Sequence, residues 1–341
     1  MANLRDDDRG QIILVAAFAI AVIFVSLALI VNSAIFTENL ASRGETAGSD
    51  GALSMRAMVE TNVGDSLEAI NRRPISGHSN LEDELEEDIE EISLQTSRQQ
   101  SRSGRLVSVS GPSSRDDGTR IFEDDPGDTL ENSGTDDYVV VEAVSRSSQG
   151  NGTRAFEINA SVIRDTGGAD AGAIDNASAF EIMANETGSD GNEDSWRARI
   201  WETGSGDIHV RTIRNAGGSV ETEDCEVSPD STDPNIYIDV TGGTIDGEPC
   251  SALQTTTSGE NFHFASGTGV GTSGTYNISF SNADNIQGNF SMTVHGSSFP
   301  LIASGLDNED ALYEVTVRYT YATSDLRYET DIRVAPGEPD V

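Results

Sequence analysis

Residues 313–334 read YEVTVRYTYATSDLRYETDIRV, and their apolar positions fall on every second residue. Tyr313, Val315, Val317, Tyr319 and Tyr321 alternate with polar side chains. Ser324-Asp325 supplies turn residues, and Leu326, Tyr328, Thr330, Ile332 and Val334 alternate again. A period of two sends successive side chains to opposite faces of a strand, so the pattern predicts a hairpin with one face on a core. Six shorter segments upstream are rich in β-formers: Tyr138–Val144, Arg154–Ile163, Asp207–Ile213, Ile236–Val240, Tyr276–Phe280 and Phe290–Val294. Clusters of Gly, Ser, Asn and Asp separate them. Many short strands with such punctuation predict an antiparallel β-sandwich-like domain over residues 105–341.

Further toward the amino terminus the period changes. From Thr37 to about Asn71 the apolar residues Leu40, Leu53, Met55, Met58, Val63, Leu67 and Ile70 follow helical spacing, and Gly44, Gly48 and Gly51 predict a kink. Pro74 and Gly77 mark a turn. Leu81, Leu85, Ile89 and Ile92 then form a narrow stripe on a second helix, 81–96, whose other face carries Glu82, Asp83, Glu84, Glu86, Glu87, Asp88, Glu90 and Glu91. That face reads as solvated rather than metal-binding. Residues 37–104 are therefore expected to form a helical stalk.

Between Ile12 and Val31 the one polar side chain is Ser26. Twenty helical residues at about 1.5 Å each match a bilayer core of about 30 Å. Fourteen of them are Ile, Leu, Val or Phe, which at about −0.4 kcal/mol each favour insertion by roughly 6 kcal/mol. Residues 11–36 are expected to be a transmembrane helix. Arg5 and Arg9 precede the segment and Arg43 is the next basic residue after it, which puts residues 1–10 in the cytoplasm and the bulk of the chain outside. The fold class expected is thus α+β: an N-terminal transmembrane and stalk helix followed by an extracellular antiparallel β-sandwich-like domain.

Composition fixes the environment. The chain has 341 residues, 58 acidic against 21 basic, and a formal net charge of −37. Every basic residue is arginine. Self-repulsion at this charge is relieved in molar salt, where the screening length falls to about 3 Å. Such an acidic, lysine-free surface resembles the proteins of extreme halophiles. It also repels phosphates, so no nucleic-acid partner is expected.

Arg9-Gly10-Gln11 stands directly before the apolar run. This resembles the prepilin-peptidase site of archaeal type IV pilins and archaellins, and the stretch from Arg9 through Ile35-Phe36-Thr37-Glu38-Asn39-Leu40 resembles the start of haloarchaeal pilin-like membrane proteins of largely unassigned function. The resemblance implies cleavage between Gly10 and Gln11 by a prepilin peptidase and retention of the apolar segment. It implies membrane lipid as a partner, and assembly with itself or other pilins as a structural or minor subunit of a surface filament. Many bacterial pilins carry a glutamate at the fifth mature position, where this chain has Val15. A single-pass envelope protein that does not polymerise is the alternative.

Cys225 and Cys250 lie in the part expected outside, where a disulfide fits an oxidising exterior. Asn151, Asn159, Asn176, Asn185, Asn277 and Asn289 each begin an Asn-x-Ser/Thr glycosylation acceptor, a permissive surface site in an exported chain. No catalytic, cofactor or metal motif stands out. His78, His209, His263 and His295 are scattered, and neither a His-Glu-x-x-His nor a Gly-x-Ser-x-Gly pattern occurs. The expectation is a non-enzymatic protein without a cofactor.

Overall fold

The computed structural model describes Phe24, Leu27 and residues 50–145, 152–166, 179–186, 195–216, 219–229, 235–254, 275–296 and 301–338. Of these, 53% are strand and 24% helix. Two helices come first, α1 (50–71) and α2 (His78–Ser101). Among the described residues fifteen strands follow, with a short helix α3 (Ser251–Gln254) between β10 and β11.

The strands form two antiparallel sheets. The larger contains β1 (Leu106–Glu123), β3 (Thr153–Ile163), β8 (Ile236–Asp239), β9 (Thr244–Ile245), β10 (Glu248–Pro249), β12 (Ile286–His295), β14 (Asp307–Ala322) and β15 (Arg327–Val334), in the order β10-β9-β8-β3-β12-β1-β14-β15. The smaller contains β2 (Tyr138–Ser145), β4 (Phe180–Glu186), β5 (Ser195–Glu202), β6 (Ile208–Ala216), β7 (Ser219–Val227), β11 (Thr275–Ser281) and β13 (Leu301–Ile302), in the order β13-β2-β11-β4-β5-β6-β7. Phe156, Ile158, Phe290 and Met292 of the first sheet share one buried cluster with Phe180, Ile182, Ile200 and Phe280 of the second. Phe280 stands at the centre, with ring centroids 5.1 Å from both Phe180 and Phe290. The alternating stretch 313–334 forms the β14–β15 hairpin, paired from Val315↔Val334 to Ala322↔Arg327.

This architecture corrects the α+β expectation of an N-terminal transmembrane and stalk helix leading to a head. The fold is mostly β, and the helices of the expected stalk lie on the sheet. On α1, Ala52, Met55, Val59, Val63, Leu67 and Ile70 recur at helical spacing and are buried; α2 adds Leu81, Leu85 and Ile89. They pack against Val107 and Val109 of β1, Val315, Val317, Tyr319 and Tyr321 of β14, and Ile332 and Val334 of β15. The physical reason is that these strands own a second apolar surface. A free-standing stalk would forgo about 2 kcal/mol for each buried Val, Leu or Ile. Polar ties fix the docking: Tyr319 Oη donates to Ala52 O at 3.0 Å, and Val109 N donates to Ser93 Oγ at 2.9 Å. Gly51, expected as a kink, instead permits close approach, since a Cβ there would lie 3.0 Å from Tyr321 Oη.

The acidic face of α2 remains solvated, with Asp83, Glu84, Glu86, Glu87, Glu90 and Glu91 exposed. Among the described residues no helix is long and apolar enough to cross a membrane. Of the segment 11–36, Phe24 and Leu27 alone are described, both helical and more than half exposed. The rest of that segment and Arg9, Gly10 and Gln11 lie outside the described residues.

Candidate functional site

The β1–β14 ladder is interrupted twice. At the second break, Asp116 pairs with Glu314 and Asp117 with Leu312, so Tyr313 is an extra residue on β14, a β-bulge. A bulge leaves ladder groups to be satisfied from elsewhere. Asn71, at the end of α1 and 1% exposed, does so with its amide: Nδ2 donates to Leu312 O and Leu312 N donates to Oδ1, both at 2.9 Å. Arg154 of β3 satisfies the neighbouring carbonyls. Its Nε donates to Tyr313 O at 2.6 Å, Nη2 to Leu312 O at 2.8 Å and Nη1 to Pro336 O at 2.8 Å. The same guanidinium pairs with the carboxylate of Glu68 on α1.

Arg154 is fully buried. Removing a guanidinium from water is costly unless its donors are used, and here one ion pair and three carbonyls use them. The segment after β15 completes the hub. Ala155 N donates to Gly337 O at 2.8 Å, Tyr313 Oη donates to Glu338 Oε1 at 2.6 Å, and Arg333 Nη1 pairs with Glu338 Oε2 at 2.6 Å. Burial and the Glu338 carboxylate push the Tyr313 phenol well above its usual range. α1, β3, the β14 bulge and residues 336–338 are thereby tied at one point. A groove of about 380 Å³ runs beside it, lined by Ala57, Thr61 and Gly64 of α1 and by Val334 and Pro336.

A second polar group lies next to the hub. Glu157 and Asp239 are direct cross-strand partners on β3 and β8. Burial raises both carboxyls above the usual range; for Glu157 the bond from Tyr237 and the Arg72 guanidinium, 3.7 Å away, oppose the shift. Gly242 N donates to Asp239 Oδ1 at 2.6 Å, which likewise opposes it there. Arg72 links this pair to α1.

Ser145, His295 and Asp116 have the composition of a nucleophilic triad. Ser145 Oγ lies 3.0 Å from His295 Nδ1, and His295 Nε2 is 3.6 Å from Asp116 Oδ2. The second distance is too long for a hydrogen bond. Acyl transfer also needs amide donors aimed at a developing oxyanion. The nearby amides are committed: His295 N to Gly152 O, Gly296 N to Asp117 O, and Gly152 N to Tyr313 Oη. The imidazole–carboxylate approach is not distinctive in so acidic a chain, because His78 and His209 also stand within 4 Å of carboxylates. Among the described residues no group of three His, Cys, Asp or Glu is arranged to hold a metal ion.

Of the residues singled out in the sequence, Cys225 and Cys250 are joined in a disulfide with Cα atoms 5.5 Å apart, fastening edge strand β7 to the start of α3. Asn159, Asn185, Asn277 and Asn289 are part-buried on β3, β4, β11 and β12. Asn151, Asn176 and His263 lie outside the described residues. The hub was not anticipated. One signal was present: Arg154 opens a segment, RAFEINASVI, that otherwise alternates toward a core. Bulge-filling by Asn71 has no local signal, because its partner is 241 residues away.

Residues 6–170 match the model of a family of unknown function, DUF7261. The similarity begins near the amino terminus and runs through both helices and β3. No curated protein matches the chain.

Proposed function

We propose that this is a non-enzymatic, pilin-like surface protein of a halophile, held by its apolar N-terminal segment and acting as a structural or minor subunit of a type IV pilus-like filament. One observation carries the reading: the helix nearest that segment in sequence is fastened to the β body along its length and tied at its end. α1 buries six side chains on the sheet, and Glu68 and Asn71 join it to Arg154 and to the β14 bulge. A pull on the segment before Asp50 is thus borne by the whole sandwich. That is the mechanical requirement of a protein displayed from one end. The apolar run Ile12–Val31, the Arg9-Gly10-Gln11 junction and the charge of −37 support the surface, processed and halophilic parts of the proposal. Lipid, a prepilin peptidase and other pilin-like chains are the partners it implies.

A membrane-anchored envelope protein that never polymerises is the second reading, favoured by Val15, which leaves no carboxylate to pair with a neighbouring amino terminus. Amino-terminal sequencing of native protein, combined with shearing of the cell surface, tests both. The proposal expects a mature start at Gln11 and recovery in sheared filaments. A Gln11 start with recovery in membranes alone supports the anchored reading. A start near Ile35 with a freely soluble product overturns both.

A further inference from the structure

The four acceptor asparagines on described strands are not scattered. Asn159 of β3 is the direct cross-strand partner of Asn289 of β12, and Asn185 of β4 is the direct partner of Asn277 of β11. In sequence these partners are far apart, and only the sheet registers bring them together. Both pairs face away from the core. Ile158, Ala160 and Phe290 are buried between the sheets, so alternation turns Asn159 and Asn289 outward. Ala184, Tyr276 and Ile278 are buried in the same cluster, which turns Asn185 and Asn277 outward from the other sheet. The two pairs therefore occupy opposite broad faces of the sandwich.

We infer that these are two glycan-acceptor units, Asn159 with Asn289 and Asn185 with Asn277, and that each unit carries one N-linked glycan rather than two. The inference rests on the surface reading above, because the modification requires export. Three features support it. The side chains of Asn159 and Asn289 make no hydrogen bond among the described residues, so neither amide is used to hold the sheet together. Asn277 uses its carbonyl, Oδ1 accepting from Ala143 N at 2.9 Å, which is compatible with a sugar on Nδ2. The third feature is spacing. Directly opposed residues of an antiparallel pair have Cβ atoms about 5 Å apart, less than the width of a pyranose ring with its hydroxyls. Around Asn289 the strands cannot separate to make room, because Gly288 is seated against β3 so closely that a Cβ there would lie 2.2 Å from Asn159 O.

The chemistry is glycosyl transfer from a lipid-phosphate-linked sugar donor by a membrane transferase. The asparagine Nδ2–C1 bond forms as the bond from C1 to the donor's phosphate oxygen breaks; Nδ2 gives up one proton and the lipid phosphate leaves. The first sugar attached to one asparagine then covers its neighbour. On the β8 side Asn159 is flanked by its other cross-strand partner, Tyr237, an aromatic residue that is 40% exposed.

The test is glycopeptide and intact-mass analysis of native protein from the cell surface, for the wild type and for Asn159→Gln and Ser161→Ala. Ser161→Ala destroys the acceptor motif while keeping Asn159, which separates glycan loss from loss of the amide. The expected wild-type result is no more than one glycan per pair on any molecule. In both variants, occupancy of Asn289 should rise toward the wild-type sum of Asn159 and Asn289, with Asn185 and Asn277 unchanged. Molecules carrying glycans on both members of a pair overturn the inference, as does Asn289 occupancy that stays below the wild-type sum of the pair in both variants. Surface protein with none of the four modified overturns it while leaving the surface reading intact. Protein retained in the cytosol overturns both.

Discussion

Replacing Arg154 with methionine tests whether the hub holds the helices to the sandwich. Methionine refills much of the volume but removes every donor. Glu68, 21% exposed at its side chain, is left with the more distant Arg72 at 4.0 Å. Stripping one partner from a buried ion pair costs about 3–5 kcal/mol, and the nearby Arg72 argues for the lower end. Tyr313 O and Pro336 O lose the donors described above, each worth about 1 kcal/mol, whereas Leu312 O keeps the Asn71 amide. The expected loss is about 5 kcal/mol, or about 7–10 °C in Tm for a chain of this size. Urea unfolding by circular dichroism, in constant molar salt, measures it. Glu68→Gln alone should cost about 3 kcal/mol, and the double variant should fall short of the sum of the singles by about 2 kcal/mol. That coupling should persist as salt is raised, because buried pairs are weakly screened. Arg318→Met, at an ion pair that is half exposed on both sides, should change stability by no more than about 0.5 kcal/mol. An Arg154→Met loss below about 1 kcal/mol, or a coupling that vanishes in high salt, would refute the hub.

Three further outcomes are expected. Burial raises the folded-state pKa of Glu157 above its unfolded value, so its contribution favours folding in acid and is lost as pH rises through the folded pKa. Glu157→Gln should therefore raise Tm at neutral pH and lose that advantage in acid; a benefit that grows toward low pH contradicts the assignment. Replacing both Cys225 and Cys250 with alanine opens a closure between residues 25 apart and should cost about 3.5 kcal/mol by chain entropy, read by the same urea titration against the parent. Ser145 should not react with a fluorophosphonate probe; specific labelling there would show an activated nucleophile and reopen an acyl-transfer reading.

What the sequence disclosed and what it withheld follow from the range of the interactions. The β14–β15 hairpin was legible because its alternation is local and its turn residues sit between the two runs. The helical stripes of α1 and α2 were legible for the same reason, but their destination was not. A stripe says that a helix has a face to bury and does not say against what. The alternation in β14 showed apolar Val315, Val317, Tyr319 and Tyr321 without revealing that helices rather than the other sheet would cover them. The bulge at Tyr313 hides in a strand whose pattern looks unbroken, since a single extra residue leaves the alternation readable on either side. Arg154 looked like one arginine among 21. Its burial depends on contacts 86, 158, 159 and 182 residues distant, beyond any local pattern.

Those separations bear on when the molecule becomes whole. Arg154 is met by Glu68 early in the chain, but its carbonyl partners come only at Leu312, Tyr313 and Pro336. A chain made from its amino terminus would present the two helices and most of the sandwich before the hub could close. Until residues 312–338 arrive, the α1–α2 pair has no β14 or β15 surface to cover, and a buried-type arginine stands open to water. Completion is thus registered at a single late step, and a chain cut short in that final stretch would present its helices unpacked to any protease it meets.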